Sequence, residues 1–159
     1  AYMCAHKVDH ISLMPYYVAK SFWLRGFVHF FGATLYLSKP PWKPNDDRQT
    51  KDGIGIGAFM LLTREAYEKI GKHEALKFRP DDDLQLGMKV KQNGLKQRYM
   101  IGADYIKVEW YTSLSGAIKG LEKNMFAGIG YSLRKLGFII IAIALFYLVP
   151  FIGIGLAEG

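Results

Sequence analysis

The sequence predicts a mixed α/β domain followed by an amphipathic helix and then by a membrane-spanning helix. Up to residue 112, short apolar runs alternate with polar and glycine-rich segments, which is typical of strands and helices packed together. A stripe of apolar residues at helical spacing comes next, and an uncharged apolar stretch follows it. We therefore expect an α/β part over residues 1–112, an amphipathic helix over 113–135 and a transmembrane helix over 136–156.

The segment over residues 13–37 is rich in aromatic side chains, and Lys20 and Arg25 are its charged residues. Two interpretations stay open for it. One is an ordinary core helix, and the other is a helix lying in a membrane interface, where Trp and Tyr side chains are common. The polar, proline-rich residues 38–53 that follow predict a loop.

The apolar run over residues 54–62 predicts a buried strand entered through a glycine-rich turn. Thr63 is suited to cap a short helix that ends around Gly71. Over residues 84–90 the apolar side chains fit a strand and a helix equally well, so this element stays open. Residues 104–111 alternate in polarity and predict a further strand, which we expect beside the 54–62 strand.

The amphipathic helix is expected to begin with Ser113 as its cap. Its apolar positions form one continuous stripe: Leu114, Ile118, Leu121, Met125 and Ile129. The other side of the helix carries side chains that suit lipid headgroups: Lys119, Lys123 and Asn124. We therefore expect this helix to lie at a membrane interface.

Residues 136–156 carry no charge, and about 20 apolar residues suffice to cross a bilayer. A buried helix of a globular core is the alternative. Arg134 and Lys135 come directly before this stretch. By the positive-inside rule they predict an integral protein of the cell membrane whose globular part is cytoplasmic.

The chain has a formal net charge of +7, which suggests anionic partners such as membrane lipid, nucleic acid or phosphate-bearing substrates. The basic residues are dispersed along the chain, which disfavours nucleic acid as the partner. The single cysteine, Cys4, excludes an internal disulfide and suits a reducing compartment.

Three consecutive carboxylates, Asp81 to Asp83, form the motif with the most chemical content. Like charges this close repel one another, so the sequence accepts a cost here. Such a cluster can hold a hard cation, or it can raise the pKa of one carboxylate until that group acts as a base. The alternative is a solvated acidic turn in which an Asp caps a helix.

The glycine-rich motif over residues 51–61 lacks the Gly-Lys-Ser/Thr of a P-loop and the spacing of a dinucleotide-binding fingerprint. Glycines let a backbone approach a ligand closely, but a tight turn into a strand is the interpretation that the residues favour. The four histidines show no metal-ligand spacing, and we predict no metal site within the chain.

Taken in order, these segments resemble the family-2 glycosyltransferases. The run GIGIGAFMLLTREAYEKIGKHEAL, residues 53–76, is similar to the family's glycine-rich strand and the helix after it, with Lys72 where the family has a second glycine. DDDLQLGMKVKQNG, residues 81–94, is similar to the family's acidic pair with its following leucine and glycine. The resemblance covers most of residues 8–156 and implies a partial GT-A fold, that of the nucleotide-diphospho-sugar transferases.

On this alignment Asp82 and Asp83 fill the acidic pair, and Asp83 matches the family's catalytic base. The resemblance implies an inverting transfer of a sugar from a nucleotide-diphosphate donor to a membrane lipid or cell-envelope glycan acceptor. Asp82 would orient the acceptor or tune its neighbour. Further substrate-binding residues would be a glycine-rich floor and an aromatic cleft wall, with plain packing as the alternative for the aromatic pair: Gly55, Gly57, Ala58, Trp110 and Tyr111.

The sequence departs from the family in two places. No Gln-x-x-Arg-Trp follows the acidic pair, which favours a single transfer to lipid over processive polysaccharide synthesis. The family's Asp-x-Asp metal motif is also missing, so ligands for Mg²⁺ or Mn²⁺ are expected upstream of residue 1. We therefore expect this chain alone to be inactive. The competing interpretation is a non-catalytic, membrane-anchored binding module whose acidic turn is structural.

Overall fold

The structure is a computed structural model that describes residues 2–77 and 79–157, with the side chains of residues 38, 75, 123–125, 127, 128, 147 and 150–157 outside the description. The described residues form six α-helices: α1 Tyr2–His6, α2 Phe22–Ser38, α3 Arg64–Lys69, α4 Asp82–Gln92, α5 Leu114–Gly128 and α6 Leu133–Ala157. They also form five short strands: β1 His10–Met14, β2 Tyr16–Tyr17, β3 Met60–Leu62, β4 Gln97–Ile101 and β5 Lys107–Val108.

β1 is the central strand of a three-stranded sheet in the order β3-β1-β4. It pairs antiparallel with β3 and parallel with β4, so His10 lies opposite Leu62 on one side and Gln97 on the other. β2 and β5 pair in parallel as a separate two-stranded sheet. α4 packs against β1 and β4, which places its N-terminal end beside the glycine-rich segment.

The predicted strand over 54–62 is wrong over most of its length, and its predicted neighbour is wrong as well. Only Met60–Leu62 is a strand, and it pairs with β1, whereas the strand at Lys107–Val108 belongs to the other sheet. The reason is that the backbone N–H groups of Ile54 and Ile56 donate to side chains and not to a neighbouring strand. The segment therefore forms an anchored turn, and the predicted GT-A arrangement of these strands is corrected.

The element over residues 84–90, which the sequence left open, is helical. It belongs to α4, and Leu86 and Val90 are fully buried four residues apart on one helical face. They pack with Ile70 and Leu76 in one hydrophobic cluster. Their sequence neighbours Gly87 and Lys91 are buried as well. Adjacent buried positions fit one face of a helix, whereas a strand would send neighbouring side chains to opposite sides.

The aromatic segment over 13–37 divides into strand and helix. Ser21 caps α2 by accepting a hydrogen bond from the N–H of Leu24. One face of α2 is core, since Leu24 and Val28 pack with Ala117 of α5. Other positions of α2 are well exposed although large and apolar: Phe22, Trp23, Phe30 and Leu37. The core interpretation is confirmed for one side of α2, and the membrane-interface interpretation stays a prediction for its exposed side.

The proline-rich loop after α2 is fastened to β4 and α4. The Asn45 side chain pairs with the backbone of Tyr99 in both directions, at 3.0 Å and 2.7 Å. The ammonium of Lys91, which is 1% exposed, donates to the Asp46 carbonyl at 2.8 Å. Burial lowers the pKa of Lys91. The loop is thus held by specific hydrogen bonds to β4 and α4, although its composition predicts only irregular structure.

The amphipathic helix begins as predicted but ends earlier. The Ser113 hydroxyl accepts the N–H of Gly116 as a cap, and α5 ends at Gly128, where a turn with positive φ at Gly130 and Tyr131 follows. α5 buries Ala117 and Leu121, whereas Ile118 of the predicted stripe is 49% exposed. The Met125 side chain lies outside the described residues. The predicted helix over 113–135 is thus interrupted before α6.

The predicted transmembrane helix over 136–156 is corrected by the structure. Among the residues whose backbone and side chains the structure describes, no helix is long and apolar enough to cross a membrane. The side chains of residues 147 and 150–156, which belong to the predicted span, lie outside the described residues. The architecture is a small mixed α/β chain of six described helices and two short sheets.

Gly87→Ala should destabilise the chain, because a Cβ at this position would lie 2.1 Å from the carbonyl carbon of Ile54. Forcing a methyl group into a packed contact typically lowers the free energy of unfolding by about 1–3 kcal/mol. Gly26→Ala in α2 is the matched control, since no atom lies within 4 Å of its Cβ position. It should raise stability by about 0.5–1 kcal/mol. Urea denaturation measures both, and equal effects would contradict the close approach at Gly87.

Candidate functional site

Asp83 lies in the first turn of α4, and both of its carboxylate oxygens accept backbone hydrogen bonds. Oδ2 accepts the N–H of Gly57 at 2.8 Å, and Oδ1 accepts the N–H of Leu84 at 2.7 Å. The carboxylate is half-buried. Two donors from different segments therefore hold it in one orientation at the end of the helix where negative charge is favoured.

The pKa of Asp83 is raised above its usual value. Burial is the largest cause, and the charges of Asp82 and Asp81 act in the same direction. The N–H groups of Leu84 and Gly57 oppose this rise without cancelling it. A carboxylate with a raised pKa is a better proton acceptor, so Asp83 has the electrostatics of a general base.

Asp81 has the opposite environment. It is 6% exposed, and its oxygens accept two hydrogen bonds from the Arg79 guanidinium, both at 3.0 Å, and one from Gln85 at 2.8 Å. Burial alone would raise the pKa of Asp81, but the hydrogen bonds from Arg79 and Gln85 hold it below its usual value. Asp81 is therefore a paired structural anion, in agreement with its place outside the predicted catalytic pair.

Asp82 is exposed, and its Oδ1 accepts the backbone N–H of Asp83 at 2.9 Å. Its second oxygen is not engaged by any hydrogen bond or ion pair that the described residues form. Asp82 thus lies beside Asp83 with a free oxygen on the open side of the helix end. Its predicted role in orienting an acceptor fits this position and stays a prediction.

The predicted glycine floor divides into a buried and an exposed part. Gly55 is buried, and a Cβ there would lie 2.0 Å from the Asp83 carbonyl oxygen, so close packing on α4 requires this glycine. Gly57 and Ala58 are exposed at the tip of the turn, next to the Asp83 carboxylate. The structure thus leaves Gly57 and Ala58 open to a ligand and places Gly55 against the protein.

The predicted cleft residues Trp110 and Tyr111 belong to an aromatic cluster. Trp110 stacks on Tyr17 with ring centroids 5.1 Å apart, and it also contacts Tyr111 at 5.0 Å and Phe31 at 5.5 Å. Trp110 and Tyr111 are half-buried, so much of their surface serves packing. The Tyr111 ring also fills the space in which Gly120 lacks a Cβ.

Tyr17 connects this aromatic cluster to the acidic site. Burial and then the charge of Asp83 raise the pKa of Tyr17 to about 12, so its phenol lies in the field of that carboxylate. Tyr36 adds to the same effect and shares a hydrogen bond of 3.0 Å with the hydroxyl of Tyr99. The sequence interpretation missed Tyr17. No sequence signal distinguishes Tyr17, because it stands beside Tyr16 in a segment rich in aromatic residues.

The three carboxylates do not fit a divalent cation. Arg79 and Gln85 occupy Asp81, which leaves Asp82 and Asp83 as the two carboxylates of this turn that are not paired with a cation. Among the residues that the structure describes, no group of three or more His, Cys, Asp or Glu side chains could hold a metal ion. The Mg²⁺ or Mn²⁺ ligands expected upstream stay a prediction, and the chemistry of this chain is argued without them.

No protein-family model, curated protein or solved structure matches this chain. The resemblance to family-2 glycosyltransferases thus stays a prediction that depends on the quoted motifs. Function has to be argued from the geometry around Asp83.

Asp81→Asn should destabilise the chain at neutral pH, because it replaces an anion that accepts charge-assisted hydrogen bonds from Arg79. Such bonds contribute about 1.5–3 kcal/mol each, and the half-exposed Arg79 places the effect at the lower end. The folded-state pKa of Asp81 is lowered, so its contribution is present above the unfolded-state pKa, near 3.9, and is lost as pH falls through the folded-state pKa.

The measurement is urea denaturation of Asp81→Asn and of the control Asp82→Asn between pH 7 and the acid range. Asp82 is exposed and unpaired with any cation within the described residues, so its variant should stay within about 0.5 kcal/mol of the parent. A deficit of Asp81→Asn that persists unchanged at the lowest pH would show that the charge of Asp81 is not what stabilises the turn.

Proposed function

We propose that this chain carries the acceptor side of a glycosyltransferase site in which Asp83 is the general base. The observation that supports this most is the Asp83 carboxylate: it is half-buried, held by two N–H groups, raised in pKa and next to an exposed glycine turn. The order of motifs in the sequence adds the resemblance to family-2 glycosyltransferases. Together they favour sugar transfer from a nucleotide-diphosphate donor.

In the proposed reaction an acceptor hydroxyl approaches Asp83 from the side of Gly57 and Ala58. Its oxygen attacks the anomeric carbon of the donor sugar as the bond to the nucleotide diphosphate breaks, and configuration inverts. The hydroxyl proton moves to the Asp83 carboxylate. The raised pKa of Asp83 brings the base nearer to the pH at which it works, which favours proton transfer in the transition state.

Tyr17 is a further residue that we propose to lie near the acceptor. Its ring is held by its stack on Trp110, and its pKa is raised first by burial and then by the charge of Asp83. A phenol is protonated at neutral pH and is thus available as a hydrogen-bond donor. The aromatic cluster would then line the entry to the site, as predicted for Trp110 and Tyr111.

A lipid acceptor, and with it a membrane location, is favoured by the apolar surface of α2 and α6. Exposed large apolar side chains cover both helices, and Phe30 of α2 forms a groove of about 380 Å³ with one face of α6. Exposed apolar patches of this kind mark interaction sites. Arg25, Arg134 and Lys135 are exposed on the same helices and suit anionic headgroups. We propose association with the membrane surface.

The second candidate is a membrane-binding module without catalysis. The same apolar surface favours it, and the paired, structural state of Asp81 shows that part of the acidic turn serves the fold. The two candidates differ in what Asp83 does. In a binding module the negative charge of Asp83 serves only the local structure. In a glycosyltransferase the Asp83 carboxylate has to accept a proton.

Asp83→Asn should lower sugar transfer to lipid by about 10²–10⁴-fold, the range for a lost general base. The assay requires the donor-binding part that the resemblance places before residue 1, so it uses the gene product carrying both parts. Asn has one acceptor oxygen where Asp83 has two, so the variant loses one of the two backbone hydrogen bonds. Denaturation therefore has to show that the variant is still folded. Asp81→Asn is the control and should lose much less, because Asp81 lies outside the aligned acidic pair. Full transfer by Asp83→Asn would exclude the proposed base and favour the module.

Trp23→Ala should weaken co-sedimentation of the chain with vesicles of phosphatidylcholine and phosphatidylglycerol. Trp23 is 73% exposed on α2, and its ring would lose contact with the interface. Trp42→Ala is the matched control, because Trp42 is 70% exposed but lies in the loop after α2. Equal binding by the two variants, or no binding by the parent chain, would contradict a membrane surface on α2 and α6.

A further inference from the structure

The turn over residues 54–57, which delivers an N–H to Asp83, is held by three side chains from three different elements. The N–H of Ile54 donates to Gln97 Oε1 on β4 at 3.0 Å, and the N–H of Ile56 donates to Ser12 Oγ on β1 at 2.9 Å. The N–H of Gly57 donates to Asp83 Oδ2 on α4 at 2.8 Å. The first two bonds are buried, and the third lies at the exposed tip.

Gln97 is itself held by a second buried partner, His10. The Gln97 amide nitrogen donates to the Gly87 carbonyl at 3.1 Å and lies 2.6 Å from His10 Nδ1. Since Gln97 Oε1 already accepts from Ile54, the amide nitrogen is the donor and His10 Nδ1 is the acceptor. Burial lowers the pKa of His10 to about 4, so the ring is neutral at neutral pH and keeps this acceptor.

The opposite side of the turn lies against α4 and cannot move closer to it. Cβ atoms built on Gly53 and Gly55 would lie 2.1 Å from the Gly87 oxygen and 2.0 Å from the Asp83 oxygen, which shows how closely the two backbones approach. The hydrogen bonds to Ser12 and Gln97 hold the turn at this contact and fix its position along α4. That register decides whether the Gly57 N–H meets the Asp83 carboxylate.

We propose that Ser12 and Gln97, with His10 behind Gln97, are positioning residues that hold the 54–57 turn so that the Gly57 N–H orients the Asp83 carboxylate. The importance of that orientation for sugar transfer rests on the proposed function. The positioning itself does not, because it concerns only groups of this chain. His10, Ser12 and Gln97 are all fully buried and none contacts the exposed tip, so they act through the turn and not on a substrate.

The consequence for Asp83 is electrostatic as well as geometric. The Gly57 N–H is one of the two donors that keep the pKa of Asp83 from rising further, against burial and the charges of Asp82 and Asp81. The phenol of Tyr17, on the strand β2, is a further titratable group whose pKa is affected by the charge of Asp83. If the turn shifts, the donor is lost while these other groups stay in place, so the pKa of Asp83 should rise.

The test compares Ser12→Ala with Thr63→Ala in the full chain by NMR. Both substitutions remove a hydroxyl that accepts a backbone N–H, but Thr63 caps α3 through the N–H of Ala66. Ser12→Ala should speed amide hydrogen exchange at Ile56 and also at Gly57. It should also raise the pKa of the Asp83 carboxyl group, measured from the pH dependence of its carboxyl-carbon chemical shift. Thr63→Ala should lower thermal stability and speed exchange at Ala66 while both Asp83 observables stay at the parent values.

His10→Phe supplies a second variant that keeps an aromatic ring in the buried site and removes the acceptor for Gln97. It should speed exchange at Ile54 and raise the Asp83 pKa less than Ser12→Ala does, because Gln97 still donates to Gly87. An unchanged Gly57 exchange rate and Asp83 pKa in Ser12→Ala would overturn the proposal. So would equal shifts in Thr63→Ala, since the effect would then be general loss of stability.

Sugar transfer by the same variants separates the positioning from the function. In the gene product that transfers sugar, Ser12→Ala should move the acid limb of the pH–rate profile to higher pH and lower kcat while KM stays unchanged. Below the Asp83 pKa, the rate should fall about tenfold for each unit by which that pKa rises, since only the ionised base reacts. Shifts in the NMR observables without any loss of transfer in Asp83→Asn would overturn the proposed base and leave the positioning intact.

Discussion

The close crossing of the glycine turn over α4 is the contact on which the rest of this structure depends. Gly53 and Gly55 meet the backbone of α4 at Gly87 and Asp83 with no room for a Cβ on any of the three glycines. Backbones this close can approach only where side chains are absent. The crossing explains why the motif has a glycine at every second position, and why the segment cannot continue as a strand, since its N–H groups face the interior.

Those inward N–H groups create the demand for buried polar side chains on the sheet. Leaving a buried N–H without a partner costs about 1–3 kcal/mol, which a small domain can hardly tolerate more than once. Ser12 and Gln97 therefore occupy positions of β1 and β4 where apolar residues would otherwise be expected, and both are fully excluded from solvent. Among the described side chains, the buried polar atom that lacks a partner is His10 Nε2. It carries the proton because Nδ1 accepts from Gln97.

The parts of the fold that could be predicted from sequence are those governed by local chemistry. Thr63 and Ser113 cap helices as expected because a hydroxyl before a helical run satisfies N–H groups whatever surrounds it. The strand expected over 54–62 failed because its pattern of glycine and isoleucine is compatible with any buried segment, and only the position of α4 decides between them. The stripe predicted on α5 holds at Leu121, which is buried, whereas Ala117 and not Ile118 packs against Leu24 and Val28 of α2.

The membrane helix failed for a different reason. An uncharged run predicts transfer to an apolar environment but does not say whether lipid or another helix provides it. In the structure part of α6 faces Phe30 of α2, and the charged residues Arg134 and Lys135 are included in its first turn. The large apolar side chains between Phe138 and Val149 are nonetheless mostly exposed, so this contact covers one face of α6 and leaves the others open.

The three consecutive carboxylates of the candidate site have different environments, which their adjacency in the sequence does not reveal. Asp81, Asp82 and Asp83 are chemically identical and consecutive, yet the helix end points them in different directions: one to Arg79, one to solvent and one to the glycine turn. The pairing of Asp81 with a cation lowers its pKa, while burial and the remaining negative charges raise that of Asp83. One carboxylate is neutralised by its ion pair and another is exposed to solvent, which reduces the repulsion on Asp83 without removing it. The arrangement therefore limits the cost of the acidic cluster and leaves a single half-buried, oriented carboxylate at the N-terminal end of α4.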